Sequence, residues 1–276
     1  MNIIFDKTLR FFKRRLKKLS NKSNEELICV SLYKGVSIFY EIRKIAFIEN
    51  KLIHSGIHSE NILDLVDKFL KPDTTFLDIG ANIGAQTLQL SQSFKNSTIH
   101  SFEPTNFGFN KLKKNISLNK KLNKRIFANQ LFLTNKQNSL PKKIYASWNL
   151  KNKKNVHKKH YGSFKTTSNS QSLKLDDYII KNKISKIDFI KLDVDGHELD
   201  VLKSGYKFLK KNKTPIIFEV APYLYKEHGY THNDLINLFR ELGYNFYNIA
   251  NLKKVENINQ FILSIADGTS NTLVAK

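Results

Sequence analysis

The sequence predicts an α/β protein built on a doubly wound, mainly parallel sheet of seven strands. Three observations lead there. Short apolar runs alternate with helical stretches from Phe76 to the end of the chain. One run, Phe76-Leu-Asp-Ile79, ends in a glycine turn, Gly80-Ala-Asn-Ile-Gly84, that opens directly into a helix; such a turn aims backbone N–H groups at a ligand. Acidic residues, Asp78, Glu103, Asp193 and Glu219, stand at the carboxyl ends of four runs, where open α/β sheets bind their ligands.

Residues 1 to 24 read as a basic amphipathic extension. Phe5, Leu9, Phe12, Leu16 and Leu19 share one helical face, and Lys7, Arg10, Lys13, Arg14, Arg15, Lys17 and Lys18 the other. Such a helix can lie on an anionic bilayer, dock on the domain or fray as a tail. The main domain is placed at residues 25 to 276, opening with a small antiparallel β extension over 25 to 55 (apolar runs Leu27 to Leu32, Val36 to Tyr40 and Ile45 to Ile48). Glu60 to Leu70 has the apolar spacing of a helix, and Pro72 stops it.

After the glycine turn, Ala85 to Phe94 reads as a helix, Thr98 to Glu103 as the second strand and Phe107 to Leu118 as a helix. Ile126 to Leu133 is the third strand, with Asn129 near its end, placed to read an adenine edge. Residues 134 to 170 form a lysine-rich insertion, a β-hairpin or loop near the substrate, that carries Trp148, Tyr161 and Phe164. His157 and His160 have a metal-like spacing, but lysines surround them and no acid or cysteine is near, so they read as solvated loop. A helix capped by Asp176 or Asp177 follows. Ile187 to Asp193 is the fourth strand, 197 to 209 a helix, Pro215 to Val220 the fifth strand and His232 to Leu242 a helix. Tyr244 to Ile249 is then a strand, with Thr272 to Lys276 antiparallel beside it.

Composition narrows the class. With 41% hydrophobic residues and 12% aromatics, the chain can bury a core. Its one cysteine, Cys29, excludes an internal disulfide and cysteine metal sites, and fits a reducing compartment. No apolar run approaches the ~20 residues of a membrane span, and Phe11-Phe12 runs straight into Lys13-Arg14-Arg15, unlike a secretory leader. A cytoplasmic location is expected, with residues 1 to 20 available for peripheral membrane contact. The net charge is +22, and no Asp or Glu occurs from Pro104 to Leu175. That asymmetry fits either an anionic partner or a solvated face in a lysine- and asparagine-rich chain.

Two stretches carry chemistry. The glycines at the turn are spaced G-x-x-x-G, not the G-x-G-x-x-G of dinucleotide folds. Asp78 before them would repel a pyrophosphate and attract a ligand with a sulfonium and an ammonium, as S-adenosylmethionine has. Glu103 at the next strand end can accept hydrogen bonds from both ribose hydroxyls. The other reading of Asp78 and Glu103 is helix capping. The second stretch is Ile190-Lys-Leu-Asp193-Val-Asp195-Gly-His197-Glu198, where Asp193 would lie beside the methyl donor and Asp195 or His197 would handle an acceptor proton. Asp195 and Glu198 also have the spacing of a capping box. A divalent cation shared by Asp193, Asp195 and Glu219 is a further, disfavoured option.

Phe76-Leu-Asp-Ile-Gly-Ala-Asn-Ile-Gly84, Phe102-Glu-Pro104, Leu173 to Tyr178, Ile190 to Glu198 with Val201-Leu-Lys203, and Pro215-Ile-Ile-Phe-Glu219 together resemble the FkbM-type S-adenosylmethionine-dependent methyltransferases. The resemblance runs over about residues 55 to 276. It implies a class I, Rossmann-like methyltransferase fold and O-methylation of sugars or small metabolites. By position, Asp78, Gly80, Asn82 and Gly84 become the donor loop, Glu103 the ribose site, and Asp193, Asp195 and Glu198 the second acidic motif. Asp195 stands where the family more often has Glu. Two rival readings stay open: an RNA- or DNA-directed methyltransferase using the basic stretch, and a non-catalytic protein that keeps the fold.

Overall fold

The computed structural model describes residues 27–33, 36–42, 62, 73–94, 96–122, 125–136, 139–148, 157–159 and 162–276. The basic segment 1 to 24, the run Ile45 to Ile48, His160, Tyr161 and all but Ile62 of the expected helix Glu60 to Leu70 lie outside the described residues.

Strands β1 (Leu27–Tyr33) and β2 (Val36–Ile42) form an antiparallel pair ahead of the main sheet. Then come β3 (Thr75–Ile79), α1 (Ala85–Ser93), β4 (Thr98–Phe102), α2 (Asn106–Leu118), β5 (Ile126–Asn129) and β6 (Leu131–Leu133). The insertion holds β7 (Lys143–Trp148) and β8 (Gly162–Thr166), paired antiparallel. It is followed by β9 (Gln171–Leu173), α3 (Leu175–Lys181), β10 (Phe189–Leu192), α4 (Glu198–Ser204), α5 (Tyr206–Asn212) and β11 (Ile216–Val220). The chain closes with α6 (Pro222–Tyr225), α7 (His232–Leu242), β12 (Phe246–Asn248), α8 (Ile258–Leu263) and β13 (Asn271–Ala275).

Seven strands make one sheet in the order β12-β13-β11-β10-β3-β4-β5. Only β13 is antiparallel to its neighbours, β11 and β12. The chain leaves β3 toward β4 and β5 on one side and later returns to β10 and β11 on the other, so the crevice of the doubly wound sheet opens between the carboxyl ends of β3 and β10.

Alternation along the strands divides the core between two faces. Leu77 and Ile79 of β3, with Ile216, Phe218 and Val220 of β11, pack against α3, α4, α5, α7 and α8. Phe76 of β3 and Ile217 of β11 face the opposite layer, with Leu88 and Leu90 of α1 and Leu112 and Ile116 of α2.

Several expectations shift in detail. The strand expected over Ile126 to Leu133 divides at Gln130: β5 stays in the sheet, while β6 leaves it to pair in parallel with β9. The helix expected over 197 to 209 is two helices, broken at Gly205 where Leu175 packs. Asp176 and Asp177 do not cap α3, whose N-cap is Lys174. Asp176 instead accepts from the N–H groups of Lys207 (3.1 Å) and Phe208 (3.0 Å) at the start of α5, donors that open at every helix start. His157 is buried rather than solvated, because the fold brings it a carboxylate that is distant in sequence: its Nε2 lies 2.8 Å from Glu227 Oε1.

Phe218 is buried and stacks obliquely on Phe239 at 4.5 Å between ring centres, with Phe246 at 6.2 Å. Replacing Phe218 with Ala should destabilise the fold by about 3–5 kcal/mol, read as a lower urea midpoint with an unchanged denaturant slope.

Candidate active site

The site grows from the register of β3 and β10. Asp78 lies opposite Lys191 in that parallel pair, so both side chains project to the same face of the sheet. Lys191 is 4% exposed in the middle of an apolar strand. Its Nζ donates to the Gly80 carbonyl at 2.8 Å and stands 3.3 Å from Asp193 Oδ2 and 3.5 Å from Asp78 Oδ1. Burial by itself would push this ammonium's pKa down; the Asp193 and Asp78 carboxylates outweigh it, and the net direction is upward. One cation therefore ties the strand, the glycine turn and the first acid of the second motif together.

The turn is held from both sides. The N–H groups of Gly80 and Ala81 donate to the Phe102 carbonyl at 3.0 and 2.9 Å, and the Asp193 N–H donates to the Ile79 carbonyl at 3.1 Å. Gly80 has φ +84° and passes so close to β10 that a Cβ there would overlap the Asp193 carbonyl oxygen, which only glycine avoids. Asn82 at φ +50° and Asp195 at φ +51° are also left-handed, a region that Asn and Asp enter more readily than other side chains. Gly84, at φ +83°, is the N-cap of α1.

Glu103, 5% exposed, follows β4. Its Oε2 accepts from Asn82 N–H at 2.9 Å, and its Oε1 accepts from Thr105 N–H at 2.9 Å and Thr105 Oγ1 at 2.5 Å. Burial raises its pKa, those hydrogen bonds oppose the rise, and Asp195 adds to it. A Cβ on Gly108 would come within 2.7 Å of the Glu103 carboxyl carbon, so the α2 backbone presses this carboxylate toward the glycine turn.

A cavity of about 260 Å³ opens over these strand ends. Gly80, Asn82, Gln86, Glu103, Lys191, Asp193, Asp195, His197 and Glu219 line it together with an apolar wall that includes Ile62, Leu131, Phe132, Leu133, Ile144 and Ala146. Of the residues expected at the site, Asp78, Gly84 and Asn129 are not in the lining. Asp78 is fully buried beneath the turn, not at its mouth: Thr87 Oγ1 donates to its Oδ2 at 2.5 Å, and Lys191 faces its other oxygen. The β3 register turns it inward. Asn129 turns its amide to the carbonyls of Ser101 (3.2 Å) and Phe127 (2.9 Å).

Asp193, Asp195 and Glu219 each bring a carboxylate oxygen within 4.8 Å of the others. Burial first, then Asp193 and Asp195, raise the pKa of Glu219 well above the usual carboxylate range. A cluster so arranged can hold a proton or share a cation. His197 has its pKa lowered to about 3 by burial, His228 and Lys136, and is a neutral imidazole near pH 7; its ring lies 4.1 Å from that of His228. The capping box does not form as spaced. Glu198 accepts from the N–H groups of Val194 (3.1 Å) and Gly196 (3.4 Å), while the N-cap of α4 is His197 without a side-chain bond.

Sequence reasoning passed over Lys191, Gln86 and the hairpin residues Ile144 and Ala146. Lys191 had a signal, since a lysine inside an apolar parallel strand must find buried partners. The hairpin residues had none, because only tertiary placement brings them over the sheet.

Against known proteins, the profile of the methyltransferase FkbM domain matches residues 78–246. Methyltransferase sdnD of Sordaria araneosa is 26% identical over 190 residues, 60% of this chain and 71% of that protein. The crystal structure of methyltransferase FkbM from Methylobacillus flagellatus KT superposes with a TM-score of 0.45 at 14% identity, over 84% of this chain and 48% of that one. This chain thus spans about half the length of the M. flagellatus protein. P. horikoshii TYW2, in complex with MeSAdo, gives 0.41 at 16% identity, over 91% of this chain and 70% of that one.

Removing the Lys191 charge as Lys191→Met strands the buried Asp78 carboxylate and should destabilise the fold by about 3–5 kcal/mol. Adding Asp78→Asn should recover part of that loss in a double-mutant cycle read by urea denaturation. Glu198, buried and flanked by Asp193 and Asp195, has its pKa raised from 4.5 to about 7, chiefly by burial. Between those values the native state keeps a proton that the unfolded chain has released. This group's stabilisation is therefore complete below pH 4.5 and is lost as the pH rises through about 7. The decline should be visible as a falling melting temperature across that window, and Glu198→Gln should flatten it.

Proposed function

We propose, because the chain belongs to the methyltransferase FkbM domain family, that it methylates a hydroxyl oxygen on a sugar or a small hydroxylated metabolite. Bound S-adenosylmethionine would supply a methyl group already activated on a sulfonium. The residues present fit that donor. Glu103 is a carboxylate on the cavity wall whose Oε2 keeps an accepting position for a ribose hydroxyl beside its bond from Asn82. The glycine turn with Gly80 and Asn82 offers close backbone approach. Gly84 starts the helix, and Asp78 and Lys191 set the turn from below. Asn129 stays off the cavity wall and acts through the β5 end, where its carbonyl accepts from the Glu103 N–H at 3.1 Å.

The observation that carries the reading is the separation of two acidic groups across one crevice. Glu103 stands beyond β4, and the Asp193, Asp195 and Glu219 cluster combines two acids beyond β10 with one near the carboxyl end of β11. The first suits a polyol, the second a proton released by an attacking hydroxyl. Within the cluster, burial and its acidic neighbours raise the proton affinity of Glu219, which suits it to take up that proton. His197, neutral and beside it on the wall, orients the acceptor and is a weak base. Four carboxylates and one lysine are the charged groups of the lining, which favours an acceptor that is uncharged at its reacting end. The same balance counts against threading a nucleic-acid backbone into the cavity.

No helix among the described residues is long and apolar enough to cross a membrane. Residues 1 to 20 would supply any peripheral membrane contact.

Titration calorimetry with S-adenosylmethionine tests the donor site. Glu103→Ala should weaken binding by roughly 10- to 100-fold, whereas Glu219→Gln should leave binding intact and suppress methyl transfer, followed with labelled donor and mass spectrometry of candidate glycans. Equal affinity in the Glu103 variant and the parent would remove this assignment.

A further inference from the structure

We propose that Tyr230 is a positioning residue for methyl transfer: it grips the loop that carries Asp195 and so keeps that carboxylate beside Glu219. The inference rests on the transfer reading above and concerns its proton-accepting side, not the donor. The loop from Asp193 to His197 joins β10 to α4. Tyr230 reaches it from another segment, the one that follows β11 and α6, and its O–H donates to the Gly196 carbonyl at 2.9 Å. The same hydroxyl stands 3.4 Å from Oε2 of Glu198, whose Oε1 accepts from the Val194 and Gly196 N–H groups. Both backbone groups of Gly196 are thereby held, the N–H by Glu198 and the carbonyl by Tyr230. The tyrosine ring is itself fixed, stacked at 4.8 Å on Tyr225, a fully buried side chain.

The loop needs such a hold. Asp195 at φ +51° precedes Gly196 at φ +95°, and a side chain in the left-handed region persists where its surroundings impose it. The carboxylate oxygens of Asp193, Asp195 and Glu219 lie within 4.8 Å of one another, and like charges at that range push apart. Strain and repulsion both favour a loop that swings Asp195 away from Glu219. The segment after β11 opposes this by contact as well as by the hydrogen bond: a Cβ on Gly196 would come within 2.5 Å of His228 Cδ2 and 3.0 Å of Leu224 Cβ. Glu219 is in β11, and the segment that carries Tyr230 begins where β11 ends. A bond from Tyr230 to Gly196 therefore sets the spacing between Asp195 and Glu219. That spacing bears on rate, since a misplacement of ~1 Å at a reacting centre can cost ~100-fold.

The test compares two hydroxyl deletions of the same kind. Tyr230→Phe keeps the ring and its stack and removes only the bond to the loop. Tyr244→Phe removes a buried hydroxyl that donates to the Thr214 carbonyl at 2.8 Å, before the start of β11 and away from the site. With labelled donor at saturation and the same candidate glycans, Tyr230→Phe should transfer methyl groups about 10- to 100-fold more slowly, and Tyr244→Phe at the parent rate. Calorimetry with S-adenosylhomocysteine should give parent affinity for both. Hydrogen exchange read by mass spectrometry needs no acceptor: residues 193 to 198 should lose protection in Tyr230→Phe and keep it in Tyr244→Phe. Parent rate or parent protection in Tyr230→Phe would overturn the assignment, as would an equal slowing in both variants or a matching loss of donor affinity, while the donor site stands. If the parent transfers no label to those glycans, the proposed function fails and takes this inference with it.

Discussion

A single buried ammonium holds the site in register. Lys191 is almost fully buried and is surrounded by the Gly80 carbonyl, Asp78 and Asp193. An isolated charge in such a place is strongly unfavourable, so the cation requires its acids, and the acids require it. That mutual dependence fixes how the end of β3 sits against the end of β10, and therefore where the glycine turn and the acidic cluster face each other. The closeness of Gly80 to the Asp193 carbonyl follows from the same arrangement. Asp78 belongs to this internal electrostatic frame and shapes the pocket without reaching its surface.

Much of the architecture was legible because it depends on local pattern. Apolar runs of strand length and the Gly80 to Gly84 turn mark boundaries by conformational preference alone, and the parallel sheet follows from the alternation of such runs with helical stretches. The same pattern placed Glu103 and Asp193 at strand ends, and both line the cavity there. What failed was direction. Asp78 was placed correctly along the chain and wrongly in depth, because a side chain two residues before a turn faces the interior or the crevice according to register. Asp176 was read as a cap for its own helix and bonds the start of α5 instead, and His157 found its carboxylate seventy residues downstream in Glu227. Each miss is a contact between segments distant in sequence.

The charge distribution separates exterior from interior. The chain is strongly basic overall, yet the cavity is lined by more acids than bases. A cationic exterior raises the local concentration of anionic molecules by long-range attraction, which salt screens over about 10 Å. The cavity chemistry acts at contact distance and selects on different grounds. The insertion spans both regimes: Ile144 and Ala146 wall the cavity, while Lys159 pairs with Asp267 at the surface at 2.6 Å.

The left-handed backbone at Asp195 constrains how this site can diverge. A residue at φ +51° is comfortable as Asp, Asn or Gly and uncomfortable as most longer or branched side chains. A longer acid at this position would gain one methylene of reach and lose conformational ease, so the backbone here sets how far its carboxylate can extend into the crevice.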